Sequence, residues 1–210
     1  SLRRKELLTQ MGLDFEIGAA DLDEQPLLDE KPHRYVERLA REKAQYFRNK
    51  RHYKNHTILA ADTSVVVDDT ILNKPTDMDE ALEHLALLSG RSHVVLTAIC
   101  IVPKKSQTHL SSISENTVDM RIITPAERQN YWSTGEPIGK AGSYAIQGLG
   151  AMFIRRIIGS YSGVMGLPIF ETSELLSAAG IPLTITSGRQ MHTAIHARCR
   201  YTKSNTKIDP

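Results

Sequence analysis

The sequence is poor in sulfur and in rings, with two cysteines, one tryptophan and 6% aromatic residues among 210. Cys100 and Cys199 lie too far apart for a disulfide framework or a zinc site. Cys100 sits in an apolar run and reads as a buried thiol, while Cys199 falls in a basic tail, a usage that fits a reducing compartment. No run approaches the roughly 18 apolar residues that a membrane span needs. The opening Ser1-Leu2-Arg3-Arg4-Lys5-Glu6 is too polar for a secretory signal, so a cytoplasmic setting is expected. Neither a Walker A sequence nor a GxGxxG fingerprint occurs, which excludes two familiar glycine-rich phosphate cradles. Internal repeats are absent as well.

A surplus of positive charge is also lacking over most of the chain. The net charge is +2, yet residues 187–210 carry Arg189, Arg198, Arg200, Lys203 and Lys207 against Asp209 alone. The remainder is therefore slightly acidic, whereas a nucleic-acid protein carries positive charge on its folded body. No nucleic-acid partner is expected. The segment 187–210 lacks apolar periodicity and reads as a disordered basic tail behind one domain over 1–186. With 40% hydrophobic and 24% charged residues, that domain has the composition of an ordinary globular core.

What is present is an alternation of helical and strand patterns. Helices are predicted over Arg4–Met11, Arg34–Phe47, Asp77–Leu88, Thr124 to about Gly135, and Thr172–Ala179. Asp77 with Glu80, and Thr124-Pro125-Ala126-Glu127, have the spacing of capping boxes. Strands are predicted over Phe15–Ala19, Ile58–Val67 (whole, or broken at Asp62-Thr63), Ile71-Leu72, Val94–Val102, Thr117–Ile123 and Ala151–Ile158. In Thr117–Ile123 the residues Val118, Met120 and Ile122 should face inward. This alternation predicts an α/β fold with a mixed sheet flanked by helices.

One strand carries a conspicuous conflict. Ile58–Val67 is apolar except around Asp62, and an unpaired buried carboxylate costs several kcal/mol, so a cation, metal or proton is expected beside it. Four cations are candidates. Arg3 and Arg4 sit at a helix start, Lys43 projects from the apolar face of its helix, and Lys74 is fixed before Pro75. A solvated terminus, a snorkelling lysine and a structural ion pair are the plainer alternatives for these residues. Asp23-Glu24, in the loop before the Lys43 helix, could join Asp62 in an oxygen-rich divalent-metal site, or could be a solvated turn. Gly142–Gly150 and Gly159–Pro168 read as glycine-rich loops, and the Gln147 amide offers the donor and acceptor that a base edge requires.

Taken in order, Ser1-Leu2-Arg3-Arg4, Arg38-Leu39-Ala40-Arg41-Glu42-Lys43-Ala44, Ala60-Ala61-Asp62-Thr63, Asn73-Lys74-Pro75, Leu88-Ser89-Gly90, Lys140-Ala141-Gly142, Ile146-Gln147-Gly148, Gly159-Ser160-Tyr161 and Gly166-Leu167-Pro168 resemble the Maf family of nucleotide pyrophosphatases. The resemblance covers about residues 1–180. It implies an elongated sheet with a central cleft between two lobes, and metal-dependent hydrolysis of a nucleoside triphosphate to monophosphate and pyrophosphate. Such an activity limits incorporation of unwanted nucleotides. Asp62 matches the proton acceptor, and Arg3, Thr63 and Gln147 match positions tied to substrate choice. Glu24, Lys43 and Lys74 match the phosphate and metal site, with Arg4 beside them and magnesium or manganese bound through Glu24 and Asp62. Gln147 after Tyr144-Ala145-Ile146 looks like the branch acting on dTTP and UTP. A homodimer and an association with septum formation are further implications, the latter an alternative in which the protein acts by binding. Leu2 departs from the proline usual in the first motif, and so lacks the φ that proline fixes.

Overall fold

In the computed structural model, which describes residues 1–183, five strands form one sheet with helices packed on it. The helices are α1 (Leu2–Gln10), α2 (Pro32–Arg48), α3 (Met78–Leu88), α4 (Pro125–Ser133), α5 (Tyr161–Met165) and α6 (Ile169–Ala178). The strands are β1 (Ile58–Val67), β2 (Thr70–Leu72), β3 (Ser92–Val102), β4 (Leu110–Met120) and β5 (Ile154–Ile158), in the order β2-β1-β3-β4-β5. Every pairing is antiparallel, so the expected mixed sheet is corrected to an antiparallel one. For two of the pairings the reason is local. β1 returns into β2 through Asp68 and Asp69, both at positive φ as a tight hairpin turn requires, and β3 returns into β4 through a short loop. Hairpins force antiparallel neighbours in these two pairs, while β4 and β5 run antiparallel although α4 lies between them.

β1 runs unbroken through Asp62 and Thr63, paired along its length with β3 (Asp62 opposite Ala98, Thr63 opposite Thr97). Its alternation sorts two cores. Ile58, Ala60 and Val66 pack with Val36, Ala40 and Ala44 of α2, while Ala61, Val65 and Val67 pack with Leu85 and Leu88 of α3. Asp62 shares the α2 face by parity, and Thr63 takes the opposite one. β2 covers only Val65–Val67, so among the described residues Ile58–Ser64 forms a free edge on that side. A cavity lined in part by Asp62, Thr63 and Ser64 opens there.

Several elements differ from expectation. Phe15–Ala19 is not a strand: most of it is exposed, and among the described residues no strand pairs with it. Its extended backbone instead lies against the Phe47 ring, close enough at Gly18 that a Cβ there would overlap it. β4 starts at Leu110 and stops at Met120, where a register shift at Asp119/Met120 ends the ladder with β5. Ile122 is consequently 74% exposed, and Ile123 takes the buried place instead. Leu149–Phe153 forms a 3-10 turn before β5, and the presumed loop Gly159–Pro168 contains α5. The Thr124/Glu127 capping box is complete, but at α3 Asp77 accepts from Glu80 N while Glu80 reaches Thr76 rather than closing the box. α1 forms with Leu2 at its first position, without proline's help. The tail 187–210, with Cys199, lies outside the described residues. Cys100 is fully buried, and burial pushes its thiol up to about 11, leaving it unreactive.

Candidate functional site

α2 is an amphipathic helix started by Pro32, and its apolar face lies on β1 and β3. Lys43 projects from that face onto the free part of β1, so its ammonium arrives at Asp62 rather than in solvent. Lys43 Nζ donates to Asp62 Oδ1 at 2.6 Å and stands 2.5 Å from Glu24 Oε1. One cation thus holds two carboxylates. Lys74, on the segment after β2, donates to Glu24 Oε2 at 3.1 Å. Asp62 is 7% exposed, so the partner expected for it from sequence is present.

Glu24 is placed by its loop's attachments to α2. Arg38 grips Glu30 through two hydrogen bonds of 2.6 and 2.7 Å and donates to Gln25 O. Tyr35 OH donates to Glu24 O at 2.8 Å and lies 3.3 Å from Asn73 Oδ1, bringing the Glu24 loop beside the Lys74 segment. Burial pushes the Tyr35 hydroxyl up to about 12, so it remains a donor. Burial alone would raise the Glu24 carboxyl, but its bonds to Lys43 and Lys74 outweigh that and hold it below the usual carboxylate range.

Arg4 and Thr63 meet on the other face of β1. Arg4 donates to Gly166 O at 2.7 Å through Nε and to Thr63 Oγ1 at 3.1 Å. Thr63 Oγ1 pairs with Thr97 Oγ1 at 2.9 Å, and Thr97 donates to Gly163 O at 2.8 Å. Gly166, at φ +112, lets the backbone approach this cluster; a Cβ there would stand 3.1 Å from Thr63 Oγ1. Burial works against the Arg4 cation and the nearby Asp62 carboxylate supports it. Arg3 lies apart from these contacts, near Tyr144 and Lys140. Gln147 is exposed on the loop between Ala145 and Gly150.

A cavity of about 200 Å³ joins Glu24, Gln25, Tyr35, Asp62, Thr63, Ser64, Asn73, Lys74 and Ala141. A larger one of about 550 Å³ lies at the end of α2, among Arg48, Lys50, Arg51, Lys54 and Lys105. No carboxylate lines it, so it has no base, and the chemistry belongs to the smaller cavity. Sequence reasoning missed Tyr35, Thr97 and Asn116, whose Oδ1 accepts from Ser160 N at 2.6 Å and holds the loop before α5. A buried asparagine within Ser114-Glu115-Asn116-Thr117 was the available signal. Nothing in the sequence marks Tyr35, which occupies an ordinary core position of its helix.

Among the described residues no group of three or more His, Cys, Asp or Glu side chains gathers as a metal cage. Glu24 and Asp62 are the convergent oxygen donors. Two carboxylates fit a magnesium or manganese ion that completes its shell with water and substrate phosphates, as magnesium commonly does. The arrangement offers a buried carboxylate for a proton and three cations for phosphate oxygens, with a hydroxyl at hand.

A curated relative from Acinetobacter baylyi, named dTTP/UTP pyrophosphatase, is 46% identical over 176 residues, covering 84% of this chain and 94% of its own. Another of the same name, from Bordetella avium, is 46% identical over 190 residues, with 87% and 94% covered. The family model described as Maf-like protein matches residues 1–179, and the chain belongs to that family.

Proposed function

We propose that this chain hydrolyses dTTP and UTP to the monophosphate and pyrophosphate. The observation that carries the reading is the buried Asp62 joined to Glu24 through Lys43, with Lys74 and Arg4 adjoining, in a chain 46% identical to proteins named for that activity. The 200 Å³ cavity suits the phosphate chain more than a whole nucleotide, leaving the base to the Arg3 and Gln147 side.

Lys43 engages Asp62 Oδ1, and Oδ2 has no hydrogen bond among the described residues. Oδ2 takes the proton of a water whose oxygen attacks the α-phosphorus. The new O–P bond forms as the bond to the bridging oxygen breaks, and pyrophosphate leaves with the electron pair. Arg4, Lys43 and Lys74 neutralise the charge that grows on the departing group, where fixed cations lower the barrier most. Glu24 keeps both lysines in place. Glu24 and Asp62 would hold a divalent cation, which when bound supplies Lewis-acid polarisation of phosphate oxygens and a more acidic water. Arg3, Thr63 and Gln147 select base and sugar.

A cytoplasmic location suits a triphosphate substrate and the unpaired Cys100, and no described helix is long and apolar enough to cross a membrane. Exposed Ile122, Met152 and Phe170 supply apolar surface for a homodimer, which sedimentation would test.

Asp62→Asn is expected to fold normally and to release pyrophosphate about 100- to 10,000-fold more slowly from dTTP and UTP with magnesium or manganese. Near-normal turnover would remove Asp62 from the role of base. A cell-division effect retained in that variant would favour action by binding over hydrolysis.

A further inference from the structure

Gln147 makes no hydrogen bond of its own among the described residues, yet the backbone on both sides of it is held by one polar pair. Tyr131 OH accepts from Ala145 N at 3.1 Å and donates to Glu136 Oε1 at 2.6 Å. The same carboxylate accepts from Leu149 N through Oε2 and from Gly150 N through Oε1, both at 2.9 Å. Ala145 and Leu149-Gly150 are the two ends of the turn that carries Gln147, and Gly148 N closes that turn onto Ala145 O at 3.2 Å. Contact is so close that a Cβ on Gly148 would overlap the Glu136 carboxylate. Tyr131 is itself fixed in the core, 3% exposed and edge-on to Phe153 at 5.0 Å.

We propose that Glu136, acting with Tyr131, is a positioning residue for Gln147 and thereby sets base selectivity. The proposal rests on the base-reading role given to Gln147 above. An exposed amide tells a pyrimidine edge from a purine edge only if its backbone is stationary, because both its donor and its acceptor must point one way. The Glu136 carboxylate is suited to the task. It accepts from three donors at once, and the same donors outweigh the upward push of burial to keep it below the usual carboxylate range. A glutamine in its place would turn an NH2 group towards at least one backbone N–H and leave that donor without an acceptor.

The test compares kcat and KM for dTTP, UTP, CTP and ATP in the wild type, Glu136→Gln, Tyr131→Phe and Gln147→Ala, with amide hydrogen exchange over residues 145–150. Glu136→Gln and Tyr131→Phe should lower the dTTP-to-ATP ratio of kcat/KM by about tenfold, chiefly through KM, with kcat within a few-fold. Exchange at Leu149 and Gly150 should quicken. Tyr131→Phe keeps the ring packing, so it decides the matter if Glu136→Gln does not fold. An equal loss of kcat/KM on every substrate would make the pair merely structural and overturn the proposal. Selectivity changed in Gln147→Ala but unchanged in the other two would overturn the positioning role alone. Selectivity unchanged in Gln147→Ala would overturn the base-reading role beneath it.

Discussion

Lys43 holds Glu24 and Asp62 with a single ammonium group, and removing it leaves two carboxylates facing one another across the cavity. Like charges at that range disfavour joint ionisation, so Lys43→Met should raise the Glu24 carboxyl from its depressed position and shift the acid limb of the pH–activity profile upward. Turnover should fall by about 100- to 1,000-fold, the scale of losing one preorganised charge-stabilising group. Lys43→Arg should restore it only in part, because the longer side chain and broad planar guanidinium do not reproduce the compact ammonium between the two carboxylates. Lys74→Ala should lose less than Lys43→Met, since Lys74 is exposed and, among the described residues, bonds to Glu24 alone. A steady-state pH profile of the three variants checks this, and an unmoved acid limb in Lys43→Met would count against the shared-cation account. This pair was legible because an aspartate in an apolar strand and a lysine on an apolar helix face each break a local pattern. Tyr35 breaks none, so its part in fixing Glu24 emerged only from the fold.

Among the elements, the start of α4 illustrates what local sequence can specify. Thr124 and Glu127 sit three apart before a proline, and both halves of the capping box form without help from distant contacts. Arg121, just before the helix, also donates to both Glu127 oxygens. Hydrogen bonds from Arg121 and from the Thr124 backbone lower the Glu127 carboxyl to about 2. A carboxyl depressed in the folded state stabilises above its unfolded value of 4.5, and that stabilisation is lost as pH falls through the folded value. The melting temperature of wild type should therefore exceed that of Glu127→Gln at pH 7, with the gap closing between about pH 4.5 and 2. Calorimetry across that window decides it, and a gap independent of pH would contradict the assignment. Elements whose fate rests on partners were the ones that sequence misjudged. Phe15–Ala19 alternates like a strand but finds no strand to pair with, and Ile122 continues an alternation that the register shift at Asp119/Met120 has already ended.

At the scale of the molecule, the sheet and the glycine-rich layer over it are joined through a buried histidine. His93 of β3 is 3% exposed, and its Nε2 shares a 2.8 Å hydrogen bond with Tyr144 OH, at the head of the segment that bears Gln147. Burial pushes the imidazole down to about 4, with the Asp119 carboxylate on β4 opposing that shift only in part. At neutral pH the ring is uncharged in both folded and unfolded chains. Below the unfolded value of 6.5 the unfolded chain binds a proton that the folded chain refuses until about pH 4. Stability must then decline as pH falls through that window, by an amount on the order of 3 kcal/mol for this one group. His93→Gln keeps a polar partner for Tyr144 but has nothing to titrate. It should be less stable than wild type at pH 7.5, while its stability should decline less steeply between pH 6.5 and 4. Urea unfolding at a series of pH values measures both slopes. Equal slopes would assign the acid sensitivity to other groups, whereas a flatter slope in the variant would make His93 the point where acid first loosens the layer above the sheet. In that case substrate selectivity should decay with pH before global unfolding begins, because Tyr144 and Gln147 share the segment that His93 anchors.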